Sequence, residues 1–397
     1  MGFEFAFSAD QEAFRAGVRT FLEREVAPIV PAMDEREEFP AASIRRMQQE
    51  GYFGVPVPEE YGGLGLGKVG YCILLEELGK VDASHGTIVG AHTSLGTTPL
   101  LYFGTEEQKR RYLVPAAKGS KLLAFSLTEP GSGSDSGAVH TRAEPSGDGW
   151  SLTGTKLYVS NGAEADTIVV LAANDPARGP AGGVTAFLLD RGTPGFRLGR
   201  CERKMGLHGT STAELILDHV RLGPEQVLGE VGRGFVVAMT ALDVGRVSLG
   251  AASLGAMEAA TAGALEFARH REQFGTPIAQ HEAIQFKLAD MAMKVHALRY
   301  LVYHAADRQD RLGTEPGRWA RLERQEKTRE AAVVKCLASE WASEVIDEAL
   351  QIHGGLGYIR GTPIERAYRD ARISEIFEGT NEIQRLVVAR DLLERGL

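Results

Sequence analysis

Cysteine is scarce in this chain of 397 residues. Its three cysteines, Cys72, Cys201 and Cys336, lie far apart in the sequence. An odd number at such spacings excludes a disulfide framework and matches neither a zinc-ligand nor a redox motif. The ten histidines are scattered, without ligand partners at helical spacing. We therefore expect reduced thiols in a cytosol-like compartment and no metal site.

The sequence also lacks long apolar runs and an excess of basic residues. No run approaches the roughly 18 uninterrupted apolar residues of a membrane span. Met1 to Phe7 show neither the basic start and apolar run of a signal peptide nor the arginines of a transit peptide. The formal net charge of -9 is unsuited to binding a phosphate backbone. These absences predict a cytoplasmic protein that binds neither membrane nor nucleic acid.

Hydrophobic periodicity divides the chain into three parts. Residues 1–121 show mainly three- and four-residue apolar spacing, which begins after a capping box at Ser8 to Gln11. Residues 122–231 alternate with a period of two between turn-rich segments, which predicts a β-sandwich or small barrel. Residues 232–397 return to long helical patterns that suit a four-helix-bundle-like domain. We predict a multidomain α+β protein with these three domains.

Two segments match, or nearly match, the sequence motifs of nucleotide-binding sites but lack the structural context that those motifs need. Gly65 to Gly70 satisfies the dinucleotide fingerprint, yet it follows a turn-rich segment rather than a strand. Gly62 to Lys68 almost spells a P-loop, but Val69 replaces the Ser or Thr that binds magnesium. A glycine-rich surface turn between helices is the preferred interpretation.

The segment Ile376 to Arg385 carries the strongest chemical signal. It places one carboxylate, Glu378, between an aromatic residue and Gly379. A carboxylate against an apolar wall has its pKa raised, towards the value that suits a base near neutral pH. Gly379 permits close approach of a ligand to the backbone. The alternative is an ordinary acid in the first turn of a helix capped by Thr380 or Asn381.

Other segments carry weaker signals, each with an ordinary alternative. Residues 127–135 leave backbone N–H groups free for an anion or a polar ring, or else form a plain linker. Tyr158 and Ser160 share a face of a predicted strand, which suits either a planar heterocycle or solvent. Arg271 ends a predicted long helix, where it binds phosphate or simply stabilises the helix dipole. Gly245 lies inside a predicted helix at a cost of about 1 kcal/mol relative to Ala, which indicates that something approaches the backbone closely there.

In order along the chain, these segments closely resemble the acyl-CoA dehydrogenase family of flavoproteins. The resemblance covers nearly the whole sequence. The matching motifs are 58–63, 104–109, 128–135, 156–162, 204–209, 271–275, 351–355 and 368–373, followed by Glu378, Gly379 and Thr380. One such motif is a weak signal, whereas an ordered set of this length does not arise by chance.

The resemblance implies one FAD per subunit in a homotetramer built from two dimers. By analogy, the flavin contacts from the same subunit are Thr128, Ser134, Tyr158 and Ser160. The cofactor contacts from a neighbouring subunit are Arg271, Gln273, Phe274, Gln351 and Gly355, with Thr380 and Glu382 near the adenosine. The contacts to the CoA thioester substrate are Asp243, Arg246, Ser134 and Gly379.

The resemblance also implies the chemistry. Glu378 is expected to remove the proton α to the thioester carbonyl while the β carbon passes a hydride to the flavin. Electrons are then expected to pass to an electron-transfer flavoprotein. Some family members carry the base on the long helix, at the position that is Gly245 here, so this chain looks more like the short- and medium-chain branches. Tyr158 replaces a common tryptophan, and Phe377 replaces a common tyrosine.

Two rival functions stay open at this point. An acyl-CoA oxidase or an acyl-carrier-protein dehydrogenase uses the same scaffold, and oxygen consumption without a carrier identifies the oxidase. A catalytically silent, flavin-free scaffold protein is the rival from another class, and absence of bound flavin identifies it.

Overall fold

The computed structural model of the protein describes residues 6–315 and 321–396. Residues 1–5, on which the prediction of a missing targeting signal partly rests, lie outside this range. The described chain forms, in order, a helical part, a β-sheet and a second helical part.

Helices form the first part of the chain. They are α1 (Ala9–Glu25), α2 (Val30–Arg36), α3 (Ala41–Gln49), α4 (Gly67–Val81), α5 (Ala83–Gly90), α6 (Thr98–Phe103), α7 (Glu106–Gln108) and α8 (Val114–Ala117). The predicted capping box starts α1, because the Gln11 N–H donates to Ser8 Oγ at 3.2 Å and the Ser8 N–H donates to Gln11 Oε1 at 2.9 Å. A π-helical segment, Ala91–Thr97, joins α5 to α6. Residues 83–103 are therefore helical throughout.

A mixed sheet of eight strands follows within the described residues. The strands are β1 (Leu123–Ser126), β2 (Arg142–Ser146), β3 (Gly149–Ser160), β4 (Thr167–Ala173), β5 (Val184–Asp190), β6 (Phe196–Cys201), β7 (Thr212–Leu222) and β8 (Val227–Leu228). Across the sheet their order is β6-β7-β3-β2-β4-β5-β8, with β1 parallel to β4. The pairing of β3 with β7 shifts register between Lys156 and Val159, where Tyr158 has a φ of 57°. This irregularity breaks the simple alternation predicted around Tyr158.

The apolar run of β4 is buried on both faces. Val169 and Leu171 pack in a cluster with helical residues such as Leu100. Ile168 and Val170 pack in a second cluster that joins the two halves of the sheet. Because successive side chains of a strand point to opposite faces, β4 separates a β interior from the interface with the helices. The enclosed interior is the feature expected of a sandwich or barrel.

Long helices form the last part of the chain. After the short α9 (Pro180–Gly183) within the sheet region come α10 (Gly234–His270), α11 (Glu282–Leu312), α12 (Arg321–His353), α13 (Pro363–Ala371) and α14 (Asn381–Arg395). A two-stranded hairpin, β9 (Glu272–Gln273) and β10 (Thr276–Pro277), follows α10. α10 packs against α4, α11 and α12. Among the described helices it alone is long and apolar enough to cross a membrane, but 72% of its most apolar window is buried inside the protein, as is typical of a core helix.

The observed order of helices, sheet and helices confirms the predicted fold class. The glycine-rich segment 62–70 follows a 3-10 turn at Glu59–Tyr61 and leads into α4, with no strand before it between residues 6 and 66. That context confirms the rejection of a dinucleotide fingerprint. All three cysteines are free thiols, as predicted.

Candidate active site

A cavity of about 1420 Å³ lies between the sheet and the second helical part. Its wall is formed by α4 and α5, the loop after β1, the end of β3, one face of α10, and the segment that joins α13 to α14. Sites for a single small ligand are usually roughly 300–1,000 Å³ in volume. This cavity therefore has room for more than one ligand.

Glu378 lies in the wall of this cavity, just before α14. It has a φ of 55°, and the next residue, Gly379, has a φ of 91°. Thr380 caps α14 by accepting a hydrogen bond from the Ile383 N–H at 3.4 Å. A left-handed conformation is uncommon for a residue other than glycine, and it persists only where the surroundings enforce it.

Two buried side chains enforce the conformation of Glu378. Arg246 Nε donates to the Glu378 carbonyl at 3.2 Å, and Gln384 Nε2 donates to the same oxygen at 3.3 Å. Gln384 also donates to the Gly379 carbonyl at 3.0 Å. A Cβ at Gly379 would lie 2.6 Å from Gln384 Nε2, so a side chain there would break this arrangement.

The Glu378 carboxylate occupies the space that Gly245 leaves on α10. A Cβ at Gly245 would lie 3.0 Å from Glu378 Cδ and 3.1 Å from Oε1, and closer still to Oε2. The group expected to approach the Gly245 backbone is therefore the candidate base itself. Gly245 carries no side chain of its own and makes room for the candidate base that follows α13.

Burial dominates the electrostatics of Glu378. Its Oε2 is buried and has no hydrogen-bond partner in the described part of the chain. Burial raises the pKa of Glu378 to about 7, although the positive charges of Arg246 and Lys335 oppose the rise. Lys335 is itself buried and donates to Asn381 Oδ1 at 2.7 Å. Burial lowers the pKa of Lys335 to about 8, against the attraction of Glu378.

Arg246 is held in place by a buried acid. Its Nη1 lies 3.0 Å from Asp243 Oδ1, and both residues are only 5% exposed. Thr328 Oγ1 donates to Asp243 Oδ2 at 2.6 Å, and Gln309 Nε2 donates to the Asp243 carbonyl at 2.9 Å. Asp243 and Arg246 line the cavity, and their hydrogen bonds link α10 to the backbone of Glu378.

Four hydroxyl groups line another part of the same cavity. They belong to Thr128, Ser134, Tyr158 and Ser160. Within the described chain none of these hydroxyls makes a hydrogen bond, and the Tyr158 side chain is 62% exposed. Hydroxyls that both donate and accept can bind the polar edge of a flat heterocycle. The donor set therefore fits a flavin.

A buried ion pair fixes the loop that carries two of these hydroxyls. Lys156 Nζ lies 2.7 Å from Glu129 Oε1, and Lys156 is fully buried. Glu129 also accepts hydrogen bonds from the His140 and Thr141 N–H groups, at 2.6 and 2.9 Å. These contacts tie the loop after β1 to β3, so Thr128 is held beside the end of that strand.

The structure brings nine of the candidate residues to one cavity. They are Thr128, Ser134, Tyr158, Ser160, Asp243, Arg246, Glu378, Gly379 and Thr380. Six others are exposed and do not line it: Arg271, Gln273, Phe274, Gln351, Gly355 and Glu382. Phe274, at the tip of the β9–β10 hairpin, is 96% exposed. The resemblance assigns five of these six to contacts with a neighbouring subunit.

Sequence reasoning missed the buried groups around Glu378. Lys335 stands in a run of apolar residues on α12, and Gln384 lies six residues after Glu378. A polar residue within an apolar helical stripe is the signal that could have identified both. No group of three or more His, Cys, Asp or Glu able to hold a metal ion occurs among residues 6–315 and 321–396.

Comparison with known proteins identifies the family of the chain. Family models of the acyl-CoA dehydrogenase N-terminal, middle and C-terminal domains match residues 8–120, 124–220 and 232–393. An acyl-CoA dehydrogenase of Bacillus subtilis (strain 168) is 44% identical over 384 residues, which cover 97% of this chain and 98% of that protein.

Solved structures give the same result. Butyryl-CoA dehydrogenase from Megasphaera elsdenii is 40% identical with a TM-score of 0.93, covering 98% of this chain and 100% of that one. A chain in the structure described as electron transferring flavoprotein of Acidaminococcus fermentans is 43% identical with a TM-score of 0.93 and the same coverage. The protein therefore belongs to the acyl-CoA dehydrogenase family.

Proposed function

We propose that the protein catalyses the FAD-dependent α,β-dehydrogenation of a saturated acyl-CoA thioester to the trans-2-enoyl-CoA, with Glu378 as the catalytic base. The observation that carries the proposal is the Glu378 carboxylate, whose Oε2 is buried and unpaired in the described chain and whose pKa is raised to about 7. Relatives named as acyl-CoA dehydrogenase and butyryl-CoA dehydrogenase support it.

The proposed reaction needs one proton acceptor from the protein. Glu378 takes the α proton, the electrons of that C–H bond form the new double bond, and the β hydrogen leaves with its electron pair. FAD, the cofactor of this family, supplies the hydride acceptor when it is bound. Thr128, Ser134, Tyr158 and Ser160 would hold it by hydrogen bonds.

The surroundings of Glu378 suit this role. A base works best when its pKa lies near the operating pH, and burial brings Glu378 to that value. Arg246 and Gln384 fix its backbone, so the carboxylate is positioned before substrate binds. The Glu378 N–H makes no hydrogen bond within the described residues. It is thus available to donate to the thioester carbonyl and to stabilise the negative charge that develops there.

Anaerobic flavin bleaching tests the proposal. Purified protein is titrated with saturated acyl-CoAs while the visible flavin band is recorded. We expect bleaching by an acyl-CoA, a yellow but unbleached Glu378→Gln variant, and normal bleaching in the control Glu375→Gln, which alters a nearby carboxylate outside the cavity wall. A yellow wild-type protein that no acyl-CoA bleaches contradicts the proposal. Rapid reoxidation by oxygen without a carrier identifies an oxidase, and a colourless protein that FAD cannot reconstitute identifies a silent scaffold.

We further propose an electron-transfer flavoprotein as the electron acceptor, a homotetrameric assembly and a cytoplasmic location. The match to a chain in the structure described as an electron transferring flavoprotein supports the acceptor. The exposed Phe274 and the surface position of Arg271 support assembly through the β9–β10 hairpin. Light scattering after size exclusion measures the subunit number, and Phe274→Asp is expected to lower bound FAD. Cell fractionation tests the location.

A further inference from the structure

The cavity extends beyond Glu378 along one face of α10. Its wall includes Leu249, Ala252, Ala256, Ala260, Gly263 and Phe267. Their spacing of three or four residues places them on a single stripe of the helix. Gly245, beside the Glu378 carboxylate, and Gly263 are 18 residues apart, which corresponds to about 27 Å along the helix axis.

Two helical glycines, Gly86 and Gly90, face this part of the cavity without a packing reason. A Cβ at Gly90 would meet no atom within 4 Å, and a Cβ at Gly86 would make only an ordinary contact at 3.8 Å. Gly263 also has open space around it, but it is exposed at the protein surface. By contrast, a Cβ at Gly255 would lie 2.8 Å from the Glu76 carbonyl carbon, so that glycine is required by helix packing. A helical glycine is unfavourable by about 1 kcal/mol relative to Ala. Two of them beside empty space inside the protein indicate that the space itself is used.

The lumen beside this stripe is largely apolar. Phe267 and His353, which both line it, stack with ring centres 4.6 Å apart. Lys80 also lines it, but its ammonium lies 2.8 Å from carboxylate oxygens of both Glu77 and Glu258. Asp82 and Asp370 are among the polar exceptions in this wall. An extended ligand with many methylene groups matches a lumen of this kind.

We infer that this part of the cavity is an acyl tunnel, and that the preferred substrates carry long unbranched acyl chains. The inference rests on the proposed function and names its substrate class. The hydrocarbon core of a bilayer is about 30 Å thick and contains two layers of fatty chains, so one chain is about 15 Å long. The 11 residues from Gly245 to Ala256 rise by about 16 Å. A palmitoyl chain whose α carbon lies at Glu378 therefore ends before Gly263. This preference differs from that of the short-chain branch.

Two glycines of the tunnel wall lie at different depths. Ser94 hydrogen-bonds Ser248 at 2.9 Å, and Ser248 donates to the Gly245 carbonyl at 2.9 Å, which places Ser94 beside the Glu378 end. Counting back along the helix, Gly90 is one turn from Ser94 and Gly86 is two turns away. A side chain at Gly90 is therefore expected to block the tunnel nearer to Glu378 than one at Gly86.

The test is kcat/KM for butyryl-, octanoyl-, dodecanoyl- and palmitoyl-CoA with the holoenzyme. Each fully buried methylene contributes up to about fourfold, which corresponds to about 0.8 kcal/mol. We expect kcat/KM to rise at least tenfold from butyryl- to dodecanoyl-CoA. Gly90→Leu and Gly86→Leu should each lower the ratio of kcat/KM for palmitoyl-CoA to that for butyryl-CoA at least tenfold. Gly90→Leu should lose activity at a shorter acyl chain than Gly86→Leu. Leucine is a good helix former, so neither change is expected to disturb folding.

Gly17→Leu is the matched control. It makes the same substitution in α1, where a Cβ also meets nothing within 4 Å, but the residue is outside this cavity. Its chain-length profile should equal that of the wild type. A wild-type enzyme that oxidises butyryl-CoA but loses activity from octanoyl-CoA onwards overturns the tunnel and leaves the proposed function intact. Unchanged profiles in both tunnel variants overturn it as well. Failure of every acyl-CoA to bleach the flavin overturns the proposed function instead.

Discussion

Replacing Gly245 by alanine is expected to lower the rate of flavin reduction with little change in the stability of the fold. The new Cβ would lie 3.0 Å from Glu378 Cδ and 3.1 Å from Oε1, whereas ordinary contacts are 3.4–4 Å, and Oε2 is closer still. The carboxylate must move, because the α10 backbone is fixed by packing and the Glu378 backbone by Arg246 and Gln384. A misplacement of about 1 Å at a reacting group lowers the rate by roughly 10²-fold.

The same substitution favours the helix. Alanine is better than glycine in a helix interior by about 1 kcal/mol, and this gain offsets part of the strain of moving the carboxylate. We therefore expect Gly245→Ala to reduce flavin about 100-fold more slowly while its free energy of unfolding changes little. The rate is measured by anaerobic stopped-flow flavin reduction at saturating substrate, and stability by urea unfolding.

Gly250→Ala, five residues further along α10, is the control, with the opposite expected effects on rate and stability. Its Cβ would lie 3.2 Å from Val302 Cγ2 and closer to Val334 Cγ1, both in the core. Overpacking of this kind is expected to lower the free energy of unfolding by about 1–3 kcal/mol, while the rate per bound flavin is retained. If Gly245→Ala reduces flavin at the wild-type rate, the position of the Glu378 carboxylate against Gly245 is irrelevant to catalysis and the reasoning fails.

Three further predictions concern buried charges. Glu378→Gln should keep bound FAD but not reduce it, and at pH 8 it should be more stable than the wild type by up to about 3 kcal/mol. The folded-state pKa of Glu378 is raised from 4.5 to about 7. The buried carboxylate therefore destabilises the wild type fully above pH 7 and not at all below about pH 4.5. A variant whose free energy of unfolding in urea exceeds that of the wild type equally at pH 8 and pH 5 contradicts this. The rate of flavin reduction should rise with pH, with a midpoint at about pH 7. Lys335→Met should move this midpoint to higher pH, because the Lys335 charge lowers the pKa of Glu378. A midpoint that stays or falls refutes the coupling. Lys156→Met should lower stability by about 3–5 kcal/mol, since it leaves Glu129 buried without its partner, and the thermal midpoint of the double variant with Glu129→Gln should recover in part.

The order of the three parts of the fold was predictable because each part repeats its own hydrophobic period. The bounds of the helices within residues 83–103 were not predictable, since Gly86, Gly90, Gly96 and Pro99 give this stretch a weak intrinsic preference for helix. Burial compensates for that preference, because Ile88, for example, is fully buried in the core cluster that also includes α4 residues. A single sequence window does not contain this tertiary contribution.

The candidate base was accessible to sequence reasoning, but its supporting residues were not. The neighbours of Glu378 in the chain are an aromatic residue and a glycine, and these already predicted a dry site and a raised pKa. Lys335 and Gln384 act on Glu378, and Thr328 acts on Asp243, from other helices or later turns. Their function depends on which polar side chains become buried together, and this is decided by helix packing rather than by local sequence.

The helix-interior glycines show how one sequence signal has three physical meanings. At Gly255 the backbone of α4 fills the space, at Gly245 the Glu378 carboxylate fills it, and at Gly90 nothing in the protein does. Each is unfavourable for its helix by a similar amount, so the sequence alone cannot separate them. Packing explains the first, and the other two line or adjoin one cavity. The Glu378 carboxylate explains the glycine at position 245, and the proposed acyl chain explains the one at position 90.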